Sequence, residues 1–272
     1  MERGNQRSTG LGEIIAAAAI ALLQGCATQL VTQPVTGADN ADTASVSAAL
    51  KFQSSSIAPR NGQALVSPDR LKPGDIILSS ISTFTSASIQ LLTLAPVSHA
   101  AIYLGDGKVV EAIRPEVRVR RLDDLLAEET VVLALRYPDL SADQVRSIGH
   151  HALQKLGAGF NYLGVTLHMP FAVKRLCELP LIPSAVRDGC IRGIGVIHAL
   201  SSSENRFFCS QLVLHSFRQA GVPITNADPR LVSPADILHM REGDVPSISA
   251  NKRLQFVGHL KYKPETVATL EQ

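Results

Sequence analysis

The stretch from Val97 to Ile113 reads VSHAAIYLGDGKVVEAI. Two runs rich in β-branched and apolar residues flank Gly105-Asp106-Gly107, which is typical of a tight hairpin turn. We therefore predict a strand over Val97–Leu104 and a return strand over Lys108–Ile113. Because side chains alternate along a strand, His99 should share one face with every second residue that follows it.

The position of Glu111 relative to His99 depends on the register of this hairpin. A three-residue loop would pair Ala101 with Glu111, which makes Glu111 the diagonal neighbour of His99 on the same face. A two-residue loop would put Glu111 on the opposite face. A carboxylate beside a histidine fixes its tautomer and stabilises the imidazolium. Taken alone, a histidine on a strand is more often structural than catalytic, and Glu111 alone reads as a solvated strand residue. Tyr103 could donate a hydrogen bond to an oxyanion, but structural packing is the favoured alternative.

Further elements on both sides of the hairpin predict an α+β domain rather than a doubly wound sheet. Turn residues at Lys72-Pro73-Gly74-Asp75 precede a short buried strand, Ile76–Leu78. The other predicted elements are a helical spacing over Ser82–Leu94, a strand end and short helix over Arg118–Glu129, a strand over Val131–Tyr137, a capped helix from Ser141 to about Leu156, and a last strand near Leu254–Tyr262. In the capped helix, Val145, Ile148, Ala152 and Leu156 share one face.

A second helix begins at a cysteine, and this position suits a nucleophile. The pattern predicts a helix from Cys209 to Ala220, ended by Gly221 and Pro223. A helix N-terminus favours the thiolate form of a cysteine, and its free N–H groups can stabilise an oxyanion. A histidine partner deepens the effect. By itself, however, a cysteine on a helix is more often a small buried hydrophobe.

Five blocks together resemble the permuted papain-like amidases of the YaeF/YiiX type, which belong to the NlpC superfamily and are relatives of lecithin:retinol acyltransferase. In the permuted members the histidine strand precedes the cysteine helix. The resemblance implies a circularly permuted papain-like fold with Cys209 as nucleophile, His99 as base and Glu111 as the third, orienting group. The blocks are Pro73-Gly74-Asp75-Ile76-Ile77, Val97 to Gly105, Val110-Glu111-Ala112, Phe160-Asn161-Tyr162 and Arg206 to Val213.

The resemblance covers roughly Ser67 to Pro223, and the chain departs from the family pattern at three places. Asn161 stands where an aspartate is common, and Gln211 stands where a glutamate is common. An apolar stretch with several Gly and Pro residues, Leu163–Asn205, reads as an insertion or lid near the cleft. It contains Cys177 and Cys190, which are either a disulfide of an exported chain or two free thiols.

The N-terminus has the pattern of an export signal. Arg3 and Arg7 precede about ten apolar residues, which are too few to span a bilayer, and then Leu23-Gln24-Gly25-Cys26 resembles a bacterial lipobox. We expect a lipoprotein signal peptide at 1–25 and lipidation of Cys26, with Ala27 favouring the outer membrane. The simpler alternative is a buried apolar helix that happens to precede a cysteine.

Charge and composition give no sign of a nucleic-acid partner and indicate how the chain divides into segments. The 272 residues carry a formal net charge of +2 and no Lys/Arg-rich run, so nothing suggests a nucleic-acid partner. Little periodic apolar content follows Cys26, and we expect a flexible tether over 26–66, a catalytic domain over 67–262 with the insertion at 163–205, and a tail over 263–272.

These patterns predict a cysteine hydrolase or acyltransferase at the bacterial envelope, facing the periplasm. It would act on amide or ester bonds of a cell-wall peptide, an acyl amide or a lipid, and it would need no metal or organic cofactor. The apolar insertion and the lipid anchor favour a lipid-like or acyl substrate. The rival hypothesis is a non-catalytic envelope lipoprotein that binds a peptide or lipid in the same cleft.

Overall fold

The computed structural model of the chain describes residues 28–34, 46–54, 57, 65–80, 97–161, 206–246 and 248–262. Several predicted features lie outside these ranges: the signal peptide at 1–25, Cys26, the helix at Ser82–Leu94, Tyr162, the insertion at 163–205 with Cys177 and Cys190, and the tail at 263–272. Of the helices in the described part, none is both long and apolar enough to cross a bilayer.

Most helices and strands that the sequence predicts within the described ranges lie close to their predicted positions, and the structure adds several short elements that were not predicted. The strands are β1 (Thr28–Pro34), β2 (Val46–Phe52), β3 (Ile76–Ser80), β4 (His99–Gly105), β5 (Lys108–Ile113), β6 (Glu116–Arg121), β7 (Val131–Arg136), β8 (Gly159–Phe160), β9 (Arg206–Phe207) and β10 (Gln255–Tyr262). The α-helices are α1 (Leu122–Glu128), α2 (Ala142–Leu153), α3 (Cys209–Gln219) and α4 (Pro234–His239), and 3-10 turns lie at Pro68–Arg70 and Pro229–Leu231.

Strands β3 to β10 form one sheet in the order β10-β7-β3-β4-β5-β6-β8-β9. Neighbouring strands are antiparallel, except that β8 and β9 run parallel. Helix α3 packs against β4 and β5, and α2 packs against α3. An antiparallel sheet with separate helices confirms the predicted α+β class.

Alternation along the central strands divides the buried residues into two layers. One layer joins the sheet to α3, and the other joins it to α1. The first contains Ile76, Leu78, Ala100, Ile102, Leu212 and Phe217, and the second contains Ile77, Ala101, Tyr103, Leu122 and Leu125. Each fully buried leucine or phenylalanine contributes about 1.5–3 kcal/mol, so both helices are held firmly against the strands that carry His99 and Glu111.

The β4–β5 hairpin decides between the two alternative registers. Its turn has two residues, Asp106 and Gly107, whose φ angles of 48° and 66° suit such a turn. An extra residue, Leu104, sits in a bulge between the paired positions of Tyr103 and Gly105. The bulge restores the register expected from a three-residue loop, so Ala101 pairs with Glu111, and Glu111 lies on the face of His99.

The predicted turn before β3 is fixed by a buried ion pair that the sequence does not reveal. Asp75 is almost wholly buried and accepts hydrogen bonds from Arg136 Nε and Nη2, both at 2.7 Å. It also accepts one from the backbone N–H of Lys72 at 2.8 Å. The bidentate pair ties the start of β3 to the end of β7, two strands that are neighbours in the sheet.

Helix α2 begins as predicted and ends earlier. Ser141 and Gln144 form the expected reciprocal capping box. The helix ends at Leu153, and the chain turns through Gly157 at a φ of 75°. Leu156, which was expected on the buried face of the helix, is therefore 47% exposed, and that part of the prediction is wrong.

The segment predicted as a flexible tether over 26–66 contains ordered structure. Strands β1 and β2 pair in antiparallel register, from Thr28 opposite Phe52 to Pro34 opposite Val46. The chain after them contacts the domain, because the Ser54 N–H donates to Asp244 Oδ1 at 2.8 Å and Ile57 is buried in the core. Thr28, Val31 and Thr32 in β1 and Val46 and Phe52 in β2 are residues that favour strands, a local signal that the overall polar composition conceals.

Candidate active site

Cys209 is the first residue of α3. The preceding residue, Phe208, is extended with φ −106° and ψ 170°, so the chain enters the helix at the thiol. The side chain of Gln211 accepts a hydrogen bond from the Phe208 N–H at 3.4 Å, and the buried Ser210 hydroxyl donates to Val232 O at 2.6 Å. These bonds fix the start of the helix. Cys209 is a free thiol that is 8% exposed.

His99 is the first residue of β4 and lies directly opposite Ser79 of β3. Its Nε2 is 2.8 Å from Glu111 Oε2. Because a carboxylate can only accept, we assign the proton of this bond to Nε2. Nδ1 is then the ring nitrogen left for Cys209, whose side chain lies near enough to His99 to raise its pKa.

The surroundings of His99 strongly favour its charged form. Burial by itself lowers the pKa of His99, because a charged ring loses its hydration. The nearby Cys209 side chain, followed by the hydrogen bond and negative charge of Glu111, outweighs burial and raises the pKa of His99 to about 10. The structure therefore brings together a cysteine, an imidazolium and a carboxylate.

Glu111 is fully buried and is held by two arginines of β6. Arg118 Nε donates to Glu111 Oε1 at 3.0 Å, and Arg120 Nη1 lies 3.8 Å from the same oxygen. Burial alone raises the pKa of Glu111, but the hydrogen bond and charge of His99, followed by the two guanidinium groups, lower the pKa to about 2. Glu111 therefore stays ionised throughout the physiological range.

The sequence-based reasoning did not include Arg118 and Arg120. A signal for them exists: the two arginines alternate along a strand that follows the Glu111 strand through a short connection. Pairing of Glu111 with Arg118 puts both guanidinium groups on the face of the carboxylate. The register of this second hairpin was not derivable from the sequence pattern alone.

Two further motif residues have structural contacts. The Tyr103 hydroxyl accepts a hydrogen bond from the Gly107 N–H at 3.2 Å, and its ring is buried in the layer under α1. Tyr103 thus fits the packing alternative rather than oxyanion binding. Asn161 is also buried, and its backbone N–H donates to Phe207 O at 3.0 Å, beside the strand that leads into α3.

A cysteine at a helix start, a buried histidine and a carboxylate behind that histidine are the parts of a nucleophilic acyl-transfer site. The fold and this arrangement define the class of permuted papain-like amidases. The family model for the permuted papain-like amidases of the YaeF/YiiX type matches residues 70–165.

The comparison with individual proteins agrees with this class. The protein named "Probable lipoprotein peptidase YaeF" of Escherichia coli strain K12 is 36% identical over 245 residues, which cover 88% of this chain and 89% of that protein. The chain therefore belongs to the YaeF/YiiX family of permuted papain-like amidases. The crystal structure described as metalloprotein YiiX of Escherichia coli O157:H7 has a TM-score of 0.43 and 17% identity, over 72% of this chain and 99% of that chain.

Proposed function

We propose that this chain is a cysteine-dependent hydrolase of amide or ester bonds, with Cys209 as nucleophile, His99 as acid and base, and Glu111 as the group that orients His99. One observation carries the proposal: His99 Nε2 is 2.8 Å from Glu111 Oε2, and Cys209 at the start of α3 lies near enough to His99 to raise its pKa. The fixed carboxylate keeps the imidazole in one tautomer, which leaves Nδ1 as the nitrogen that can exchange a proton with the thiol.

The reaction follows from these positions. In the resting site the thiol proton lies on His99 Nδ1, and the Cys209 Sγ thiolate adds to the substrate carbonyl. The free N–H groups at the start of α3 stabilise the oxyanion that forms. His99 then gives its proton to the departing amine or alcohol, which leaves a thioester on Cys209. Water, deprotonated by His99, adds to the thioester carbonyl, and the acid leaves as Cys209 recovers its proton.

The substrate class is proposed on separate grounds. A relative named as a lipoprotein peptidase favours a peptide amide. The apolar composition of the segment 163–205 and a lipid anchor favour an acyl amide or lipid ester. An acyltransferase would use a second alcohol or amine in place of water to release the thioester, so addition of such an acceptor should convert acid product into acyl-acceptor product.

The test uses a panel of model esters, acyl amides and short cell-wall peptides, with purified wild type and Cys209→Ala. We expect turnover of at least one class by wild type and none by Cys209→Ala. Urea unfolding of the variant should match wild type, which separates loss of the nucleophile from loss of the fold. Equal turnover by both proteins would contradict the assignment of the nucleophile.

We also propose that Cys26 is lipidated after removal of residues 1–25 and that the catalytic domain spans 67–262 at the envelope, on the periplasmic side of the outer membrane. Support comes from the lipobox pattern and from a relative that is named a lipoprotein. Wild type should incorporate labelled palmitate and fractionate with the outer membrane, whereas Cys26→Ser should do neither. An unlabelled, soluble wild type would contradict the anchoring proposal.

A further inference from the structure

A second buried carboxyl group lies close to the His99–Glu111 pair. Glu129 follows α1, and its N–H donates to Leu125 O at 3.0 Å. The next residue, Thr130, donates from its N–H to Ser80 O at 2.9 Å, which holds this part of the chain against the end of β3. The side chain of Glu129 is therefore fixed in the interior, and the residue is only 1% exposed.

The atoms around Glu129 are short of hydrogen-bond partners. Neither Oε1 nor Oε2 of Glu129 has a partner among the described residues, and the same is true of Ser79 Oγ and Arg120 Nη1. The Ser79 hydroxyl lies near enough to Glu129 to lower its pKa, but the geometry does not make a complete hydrogen bond. A buried polar atom without a partner costs about 1–3 kcal/mol, so four of them in one place call for a functional explanation.

The charges near Glu129 belong to the candidate active site. His99 of β4, Glu111 of β5 and Arg120 of β6 all shift its pKa. Lys261 of β10 reaches the end of α1 just before Glu129, where its Nζ donates to the carbonyl oxygens of Leu126 and Ala127.

Burial and charge leave Glu129 poised between two protonation states. Burial raises its pKa, the positive charges of His99 and Arg120 lower it, and the negative charge of Glu111 raises it. The result is a pKa of about 7, against 4.5 for an ordinary glutamate. Glu129 is thus largely protonated at pH 5 and largely ionised at pH 8.

We propose that Glu129 is a positioning residue of the candidate active site, which acts on His99 through the buried layer that it shares with Ser79 and Arg120. Ionised Glu129 adds a negative charge near the imidazolium and stabilises it. Protonated Glu129 removes that charge. This inference rests on the proposed function, since it assigns Glu129 an effect on the His99–Cys209 pair.

The backbone gives a physical connection between the two residues. Ser79 and His99 are direct cross-strand partners, so their side chains stand side by side on one face of the sheet. Arg120 reaches the same layer from β6, where Nη2 donates to Asp124 O at 2.9 Å and pairs with Glu128 at 2.6 Å. Because the interaction between two charges is reciprocal, the effect of His99 on Glu129 implies an equal effect of Glu129 on the protonation of His99.

The test is the pH dependence of Cys209 alkylation by iodoacetamide between pH 5 and 9, in wild type, Glu129→Gln and Glu129→Asp. In wild type we expect the rate to rise by about three- to tenfold as the pH increases through about 7, which is the effect of one added charge in a buried network. Glu129→Gln keeps the shape but cannot ionise, so this step should vanish. Glu129→Asp should restore part of it. Glu242→Gln, which changes an exposed carboxyl, is the matched control and should leave the profile as in wild type.

A merely structural role for Glu129 would scale the whole profile, or lower the melting temperature, without removing the step. A step that persists in Glu129→Gln would overturn the proposal. Failure of the proposed function looks different: Cys209 would then react slowly at every pH in wild type, and replacement of His99 would not change its rate. In that case, an NMR titration of the His99 ring in wild type and Glu129→Gln tests the coupling directly, and identical titrations would overturn it.

Discussion

Two buried histidine–carboxylate pairs lie in different parts of this domain. His99 on β4 is 2.8 Å from Glu111, and His239 at the end of α4 is 3.1 Å from Asp244. Both histidines and both carboxylates are nearly or wholly buried. Distance and burial therefore do not distinguish the two pairs.

The other contacts of each carboxylate differ. Asp244 also accepts hydrogen bonds from Arg241 Nε at 3.2 Å and from the N–H groups of Ser54 and Val245 at 2.8 and 2.7 Å. Burial raises its pKa, but the bond to His239 and the two backbone bonds lower it overall. Asp244 thus joins three segments of the chain, as a structural clamp does.

His99 has what His239 lacks, which is a thiol on its free side. Within the described ranges the one cysteine is Cys209, and it lies near enough to His99 to raise its pKa. A histidine–carboxylate pair is common structural chemistry, and the group on the far side of the ring decides whether it can move a proton to a reacting atom. This difference supports the proposed catalytic role of His99 and favours a structural role for His239.

The largest contrast should come from replacing each histidine by alanine. His99→Ala removes the general base, and we expect turnover to fall by about 10²–10⁴-fold. His239→Ala should leave turnover per folded molecule near that of wild type and lower the free energy of unfolding by about 1–3 kcal/mol, because Asp244 loses a buried partner. Steady-state kinetics and urea unfolding of both variants test this, and an equal loss of turnover in the two would remove the distinction.

Replacing the carboxylates should give a smaller contrast in the same direction. Glu111→Gln keeps the shape but removes the charge that stabilises the His99 imidazolium, so turnover should drop by about 10–100-fold with little change in substrate affinity. Asp244→Asn should mainly reduce stability. An effect of Glu111→Gln confined to the Michaelis constant would show that Glu111 contacts substrate instead.

The smallest expected effect is the change with pH in the contribution of the His99–Glu111 pair to the free energy of unfolding. The pKa of His99 is raised from 6.5 to about 10, so its contribution is complete below pH 6.5 and is lost as pH rises through about 10. The pKa of Glu111 is lowered from 4.5 to about 2, so its contribution is complete above pH 4.5 and is lost as pH falls through about 2. The pair is therefore at full strength between pH 4.5 and 6.5.

Urea unfolding at a series of pH values can check this window. The difference in unfolding free energy between wild type and His99→Ala should be largest near pH 5–6. It should shrink toward both extremes by roughly 2–4 kcal/mol. A difference that does not vary with pH would mean that His99 and Glu111 do not form an ion pair.

The sequence was sufficient to find the central strands and the helix at Cys209, because each has a local signal, but it left the position of Glu111 relative to His99 open between two registers. Turn residues mark the β4–β5 hairpin, and alternation then assigns the faces. Two loop lengths were possible from the sequence. The structure combines a two-residue turn with a bulge at Leu104, and together they give the register expected for a three-residue loop.

Contacts between distant segments were beyond sequence reasoning. Glu129 looks like an ordinary residue at the end of a short helix, and only the packing of α1 against the sheet buries it near His99. The partners of Glu111 depend on how β5 pairs with β6, and the pairing of β1 with β2 depends on contacts between residues far apart in the sequence. Such contacts are set by tertiary packing, which local patterns do not encode.

We propose that Cys209 is the nucleophile and that His99 activates its thiol. The most direct measurement is the rate of Cys209 alkylation at pH 6, where a model thiol with a pKa of about 8.5 is almost fully protonated. Mass spectrometry identifies the modified peptide in wild type, His99→Ala and the matched control His239→Ala. A brief exposure to a reactive ester, analysed in the same way, locates the acyl adduct.

We expect fast modification of Cys209 in wild type and in His239→Ala, and a rate at least about tenfold lower in His99→Ala. We also expect the acyl adduct on the peptide that contains Cys209. The contrary result is a Cys209 that reacts no faster than a model thiol, whether His99 is present or not, together with turnover that survives Cys209→Ala. The domain would then be better described as a binding protein that keeps the fold of an enzyme.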